Sequence, residues 1–480
     1  MPAPATQRRE LAKLLRSVVK VVTVSDAPDY DQPWQTQGAT TSAGSGVVIE
    51  TPKGPRILTN AHCVEHHVFV EVRRYGNAQK FVARVEAVGH ECDLALLNLE
   101  DPEFFTGITP LPLGPLPNLG DDASVCGFPI GGERLSITNG VISRIEVICY
   151  AHSQRQLLGV QLDAAINSGN SGGPVLSKEK VVGIAFQALD EAEQIGYMIA
   201  APVIQHFLED AQNGAYRGFP CLGINTQSLE SSAHRAHLLL PGKSRRGILI
   251  TQVAYEGSAW GVLKAGDVLM EIDGTPIEGD GTVRYREGEM LAHNILVANH
   301  HIGESITVKI WRDGETLRCV VPLKGPQQLV AEAAYHKVPS YAIFGGLLLV
   351  PLTLDYLKTW DDWWLNAPRA LVALYETGIR TRQCTEPVVL QKVLADRVNQ
   401  GYHDVENLLI HRCQGKRVRN LKHLVTLLSQ TSQPFILLEA ADGQQIVLDR
   451  ARAIERNPKI LKRFRVPYLS SKDLRPKNKE

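Results

Sequence analysis

The chain has no surplus of charge: 51 Lys and Arg balance 51 Asp and Glu. Bulk binding of nucleic acid needs excess cations to displace counterions from phosphates, so a nucleic-acid partner is not expected. Long apolar runs are missing too. The most apolar stretch, Ile343 to Leu354, is about twelve residues with Gly and Pro inside it, against the ~20 a membrane span needs. It reads as buried strand. The charged start (Arg8, Arg9, Glu10, Lys13, Arg16) has no apolar segment behind it, unlike a secretory signal. The eight cysteines (63, 92, 126, 149, 221, 319, 384, 413) stand singly, with no Cys-x-x-Cys pair. That excludes the usual zinc spacing and a disulfide scaffold, and it points to reduced thiols in the cytoplasm, with organelle targeting left open. No cofactor or metal is implied. The group His62, His66 and His67 lacks acidic or thiol ligands at metal-binding spacing.

What is present is a chain of two to four domains' length with ordinary globular composition. Residues 7–20 start as a short amphipathic helix and pass into a β-branched strand, Val18–Val24. Up to about 213, short apolar runs are broken by Gly, Pro, Asn and Asp, the pattern of an all-β barrel or sandwich, closed by a helix over Val203–Ala211. A second segment, 215–326, opens with Leu222-Gly223-Ile224 and mixes strands with short helices at Ser258–Val262 and Met290–Ala298. A third, 335–457, repeats that order more faintly after Gly345-Gly-Leu347, giving an approximate repeat of about 120 residues. The basic stretch 458–480 reads as a solvated tail.

Three local signals carry chemistry. Leu58-Thr-Asn-Ala-His62 ends a strand on a histidine, and Asp93 opens a buried strand. Asn167-Ser-Gly169-Asn170-Ser171-Gly-Gly-Pro174 sets a serine in a glycine-rich turn. Each alone is weak; together they meet the needs of acyl transfer. Serine requires a base to take its proton, and the base requires a carboxylate to fix its tautomer. The turn over Gly169, Asn170 and Ser171 must curl so that the N–H groups of Gly169 and Ser171 meet at one developing oxyanion. Gly169-Asn-Ser171-Gly-Gly173 also fits the G-x-S-x-G elbow of α/β-hydrolases, but strands follow the serine here and His62 and Asp93 precede it. That order belongs to the chymotrypsin-like double barrel.

The phrases Gly44-Ser-Gly46-Val-Val, Leu58-Thr-Asn-Ala-His62-Cys-Val, Asp93-Leu-Ala-Leu-Leu97, Gly127-Phe-Pro129 and Asp163-Ala-Ala-Ile-Asn167 through Pro174 together resemble the Deg/HtrA serine proteases. Pro339 to Phe344 and Val350-Pro-Leu352 look like the plant-type subgroup with two PDZ domains. The resemblance implies a mainly β fold, a chymotrypsin-like double β-barrel followed by two PDZ-like α/β modules. It implies an ATP-independent endopeptidase acting on unfolded or damaged proteins, with His62, Asp93 and Ser171 as triad. The alternative is a peptide-binding chaperone or scaffold with latent proteolysis.

It further implies a homotrimer or a trimer-based assembly, with Tyr30 and Trp34 as candidate contacts. The position that selects Lys or Arg in trypsin-like enzymes is Ala165, so an uncharged pocket is expected, walled by Ile184, Ala185 and Phe186. Leu222, Gly223 and Ile224 resemble a PDZ carboxylate loop, whose adjacent strand accepts a peptide. Two departures stand out: Ser168 replaces a frequent proline, and no cysteine near Gly44 is available to pair with Cys63 as in secreted relatives. Cys63 and Cys92, beside the triad, read as small buried residues rather than a redox switch.

Overall fold

A computed structural model of the chain describes residues 14–129, 134–164, 166, 167, 169–188, 196–212, 216–241 and 245–475. It divides into two compact units. One comprises Met1–Asp26, Ala39–Thr251 and Gly261–Pro326; the other comprises Ala27–Gly38, Gln252–Trp260 and Gln327–Glu480.

The first unit contains two closed barrels of six strands each. Strands β1 (Val18–Ser25), β2 (Thr40–Thr51), β3 (Gly54–Thr59), β4 (His67–Arg74), β5 (Lys80–Gly89) and β6 (Leu94–Leu99) close in the order β1-β2-β3-β6-β5-β4. Alternation decides which face is inside: Val19, Val21, Val48, Ile57, Val70, Val72 and Leu97 meet in one core. Strands β7 (Asp122–Gly127), β8 (Ser136–Cys149), β9 (Gln156–Leu162), β10 (Pro174–Ser177), β11 (Lys180–Ala188) and β12 (Gly196–Ala200) close as β10-β11-β12-β9-β8-β7. Helix α1 (Ala201–Gln212) follows, burying Val203, Ile204, Phe207 and Leu208. The strand expected over Val18–Val24 is observed as β1, where five valines within seven residues favour strand over the helix that precedes it. The earlier part of that helix lies outside the described residues.

In the same unit, β13 (Ile224–Gln227), β14 (Ile248–Val253), β15 (Val268–Ile272), β16 (Ser305–Arg312) and β17 (Glu315–Pro322) form a sheet in that order, with helix α2 at Asn294–Ala298. Two local expectations fail here. Ser258–Val262 is turn rather than helix, because Gly257 and Gly261 bracket a run too short to nucleate one. Met290–Ala298 splits into a strand, Glu289–Ala292, and the short α2, because Met290 and Leu291 pair with Arg284 and Val283.

The second unit holds a sheet of β18 (Ala342–Phe344), β19 (Leu347–Pro351), β20 (Val388–Val393), β21 (Leu408–Cys413), β22 (Phe435–Ala440) and β23 (Gln445–Asp449), in that order. The Gly345–Gly346 turn folds the apolar run at 343–354 into two adjacent strands, with φ of 58° and 88° at the two glycines. The solvated tail expected from 458 is also corrected. Helix α3 (Arg450–Phe464) continues through Pro458 to bury Ile460, and Val466 joins the same core. Ile460, Leu461, Phe464 and Val466 supply the apolar face that the basic composition conceals.

Tyr30 and Trp34 belong to this unit. Tyr30 Oη donates to Asp355 Oδ2 (2.7 Å), and Trp34 stacks edge-on against Tyr341 at 5.7 Å. Both side chains make contacts inside the unit and stay half-buried. Among the described residues, no helix is long and apolar enough to cross a membrane and no cluster could hold a metal.

Candidate active site

His62 opens a single 3-10 turn, His62–Val64, at the end of β3. Asp93 caps another, His90–Cys92, with φ 52°, a left-handed conformation that Asp tolerates better than most residues. That cap turns the carboxylate back toward the first turn. Asp93 is 1% exposed, and its two oxygens accept separately: Oδ1 from the His62 backbone N–H (2.9 Å), Oδ2 from His62 Nδ1 (2.7 Å). Asn60 Nδ2 donates to the Asp93 carbonyl (2.8 Å). An ionised carboxylate can only accept, so Nδ1 carries the proton and Nε2 presents its lone pair.

Burial works against charge at both residues, and their mutual attraction overrides it. The Asp93 carboxylate holds His62 well above the ordinary imidazole pKa of 6.5. His62 and then His152 hold Asp93 below the carboxylate range. The His62 side chain keeps 32% of its surface exposed, enough for a substrate to reach it.

The serine arrives from the second barrel. Ser171 follows a turn in which Gly169 has φ 97° and precedes Gly172 at φ 83°. A Cβ on Gly172 would lie 2.1 Å from the Ser45 carbonyl oxygen, so only glycine fits there. The Ser171 carbonyl accepts from Ser45 N–H (2.8 Å) and from Cys63 Sγ (3.7 Å), which brings Ser171 against the residue following His62. Within the turn, Asn170 N–H bonds the Asn167 carbonyl, Gly172 N–H bonds Ala185 and Gly173 N–H bonds Asn170. The amides of Gly169 and Ser171 have no backbone acceptor among the described residues. Asn170 is not a third donor: its amide is used, and its fully buried side chain leaves Oδ1 and Nδ2 without partners.

In the expected substrate wall, Ile184 and Ala185 are fully buried, and the Ala185 N–H and C=O both bond the serine turn and so support it. Phe186 packs on Tyr150 at 4.7 Å. Ala165 and Ser168 lie outside the described residues. Leu222 is buried, Gly223 has φ 68° and Ile224 begins β13.

Cys63, Cys92, Cys126 and Cys413 are buried free thiols, and a Cβ on Gly44 would lie 2.5 Å from Cys63 Sγ, so the thiol fills the space a pairing residue would need. Burial pushes the Cys92 thiol far up, leaving no thiolate for redox chemistry at neutral pH. Sequence reasoning missed His152 and Ser45. His152 meets His90 (3.0 Å) and faces Glu65 (3.8 Å) beside the His62–Asp93 pair. Nothing local in its sequence signals this, whereas Ser45 stood inside a quoted phrase without a role.

The trypsin-like peptidase domain family matches residues 44–184, and the PDZ domain family matches 330–473. Protease Do-like 2 of Arabidopsis thaliana, a chloroplastic protein, is 39% identical over 96% of this chain and 76% of its own length. The mitochondrial protease Do-like 4 of the same plant is 38% identical over 96% and 85%. Among solved structures, the HtrA-type protease AlgW with decapeptide shares the fold, with a TM-score of 0.51 and 22% identity over 66% of this chain and 98% of that one. The double barrel, the PDZ domain matched at 330–473 and this identity along nearly the whole chain make it a member of the Deg/HtrA family of Do-like serine endopeptidases.

Proposed function

We propose that His62 is the general base, Asp93 its orienting carboxylate and Ser171 the nucleophile, with the amides of Gly169 and Ser171 receiving the oxyanion. The observation that carries this reading is the Asp93–His62 bond at 2.7 Å, which leaves Nε2 as the proton acceptor. Ser171 Oγ attacks the peptide carbonyl as His62 takes its proton. The proton then passes to the leaving amine, and water repeats the sequence on the acyl-enzyme. No nucleotide enters this scheme. Unfolded or damaged proteins are the proposed substrates, because strand-like binding beside the turn needs an extended segment.

The first PDZ-like module supports peptide capture: β13 ends its sheet, and its outer edge has no strand partner among the described residues. A homotrimer or trimer-based assembly is the proposed state, resting on family resemblance. The compartment is read as reducing, the cytoplasm or an organelle interior, since Cys63, Cys92, Cys126 and Cys413 are buried free thiols. The test is cleavage of unfolded casein. Ser171→Ala should abolish it with thermal stability and assembly retained; undiminished cleavage in the variant overturns the assignment of the nucleophile, whereas a parent protein that neither cleaves casein nor is labelled at Ser171 by a serine reagent would favour a chaperone or scaffold.

A further inference from the structure

Ser45 lies on β2 of the first barrel and is fully buried, yet most of its polar contacts go to the second. Its backbone N–H donates to the Ser171 carbonyl (2.8 Å), and its Oγ–H donates to the Gly169 carbonyl (2.7 Å). Phe128 N–H donates to the same Oγ (2.7 Å), and Thr59 Oγ1 donates to the Ser45 carbonyl (2.6 Å). A hydroxyl has one proton. With the Phe128 amide arriving as donor, that proton is directed to Gly169, so the hydroxyl is fixed in one orientation by its surroundings.

The serine turn needs this anchor on one side. Downstream of Ser171, the Gly172 and Gly173 backbone is bonded to Ala185 on β11. Upstream, the backbone bonds of Asn170 stay inside the turn and its side chain is unpaired. Gly169, at φ 97°, has no side chain to restrain it. The Ser45 hydroxyl makes the one hydrogen bond from outside the turn to the Gly169–Asn170 peptide among the described residues.

We propose that Ser45 is a positioning residue for the oxyanion hole, locking Gly169 so that its N–H and that of Ser171 converge before substrate arrives. This rests on the assignment of Ser171 and those two amides. Ser45→Ala removes the hydroxyl and keeps the backbone bond to Ser171. Ser17→Ala is its control, because Ser17 is an equally buried hydroxyl in the turn leading into β1 of the same barrel, donating to the Thr109 carbonyl (2.6 Å).

Loss of one oxyanion donor lowers kcat by roughly 100- to 1000-fold, so loosening one should lower it by about 10- to 100-fold. KM should stay within about threefold, and affinity for a peptidyl boronate, whose tetrahedral adduct occupies the oxyanion hole, should fall in step with kcat/KM. Ser17→Ala should lower the melting temperature comparably with kcat within about twofold. Should Ser45→Ala not fold, Ser45→Cys, which keeps a weaker donor, should show a smaller kcat loss with boronate affinity reduced in proportion. A Ser45 variant with parental kcat and boronate affinity overturns the proposal, as does an equal kcat loss in Ser17→Ala. Ser171→Ala assayed alongside separates the two claims: its remaining active sinks the triad, whereas an inactive Ser171→Ala beside a normal Ser45→Ala sinks only the role of Ser45.

Discussion

The two barrels bring unequally prepared halves to the site. The first barrel's half is fixed: Asp93 is buried, both its oxygens are bonded to His62, and short turns at the ends of β3 and before β6 hold them. The second barrel's half depends on glycine conformations, on contacts reaching over from Ser45 and Cys63, and on a buried Asn170 whose carboxamide is unsatisfied. An unpaired buried amide costs about 1–3 kcal/mol, a strain of the kind retained at functional sites. The difference teaches that the proposed proton-transfer pair is built into the resting fold, while the proposed oxyanion turn is held by few bonds and is the easier half to disturb.

Changes on the two sides should therefore differ in kind. Asp93→Asn attacks the fixed half and should have the largest effect, a fall in kcat of roughly 10⁴-fold, because it favours the wrong imidazole tautomer. It should also move the pH profile. His62 must be neutral to act as base, and Asp93 raises its proton affinity, so the acid limb of kcat/KM in the parent lies above pH 6.5. Removing the carboxylate charge shifts that limb to lower pH. A limb that stays in place in Asp93→Asn would show that another group titrates. The smaller loss expected for Ser45→Ala should leave the limb where it is, since that change touches no titrating group of the pair.

The PDZ-like modules form a second contrast. In the first, β13 is largely exposed and pairs with a strand on one side only among the described residues. In the second, the corresponding β19 is wholly buried, and β18 pairs with it on that side. β18 is covered in turn: Ile343 N–H donates to the Leu469 carbonyl (2.7 Å), and Ala342 bridges Ser470. Strand addition needs an unpaired edge, so a peptide ending in an apolar residue should bind the first module and not the second. Gly223→Val, which strains a backbone at φ 68°, should weaken that binding about tenfold by calorimetry. Gly345→Ala should leave it within about twofold and instead lower the stability of the second unit, since its Cβ would lie 2.7 Å from Leu448 Cδ1. Equal losses of binding in the two variants would erase the contrast.

Much of this was legible in the chain. Strand alternation and the order His62, Asp93, Ser171 announced the barrels and the candidate triad, because both follow from local spacing. Ser45 was opaque because its hydroxyl meets Gly169 across 124 residues of sequence, and no periodicity encodes such a contact. The C-terminal helix was hidden because four apolar residues were outweighed by basic neighbours in a compositional reading.

The most direct test is labelling with a fluorophosphonate serine reagent across pH, followed by peptide mapping. The account predicts a single adduct on Ser171, forming at a rate that rises through a midpoint above pH 6.5 and is lost in His62→Ala. Peptide cleavage without an adduct at Ser171, or an adduct whose rate ignores His62, would contradict it.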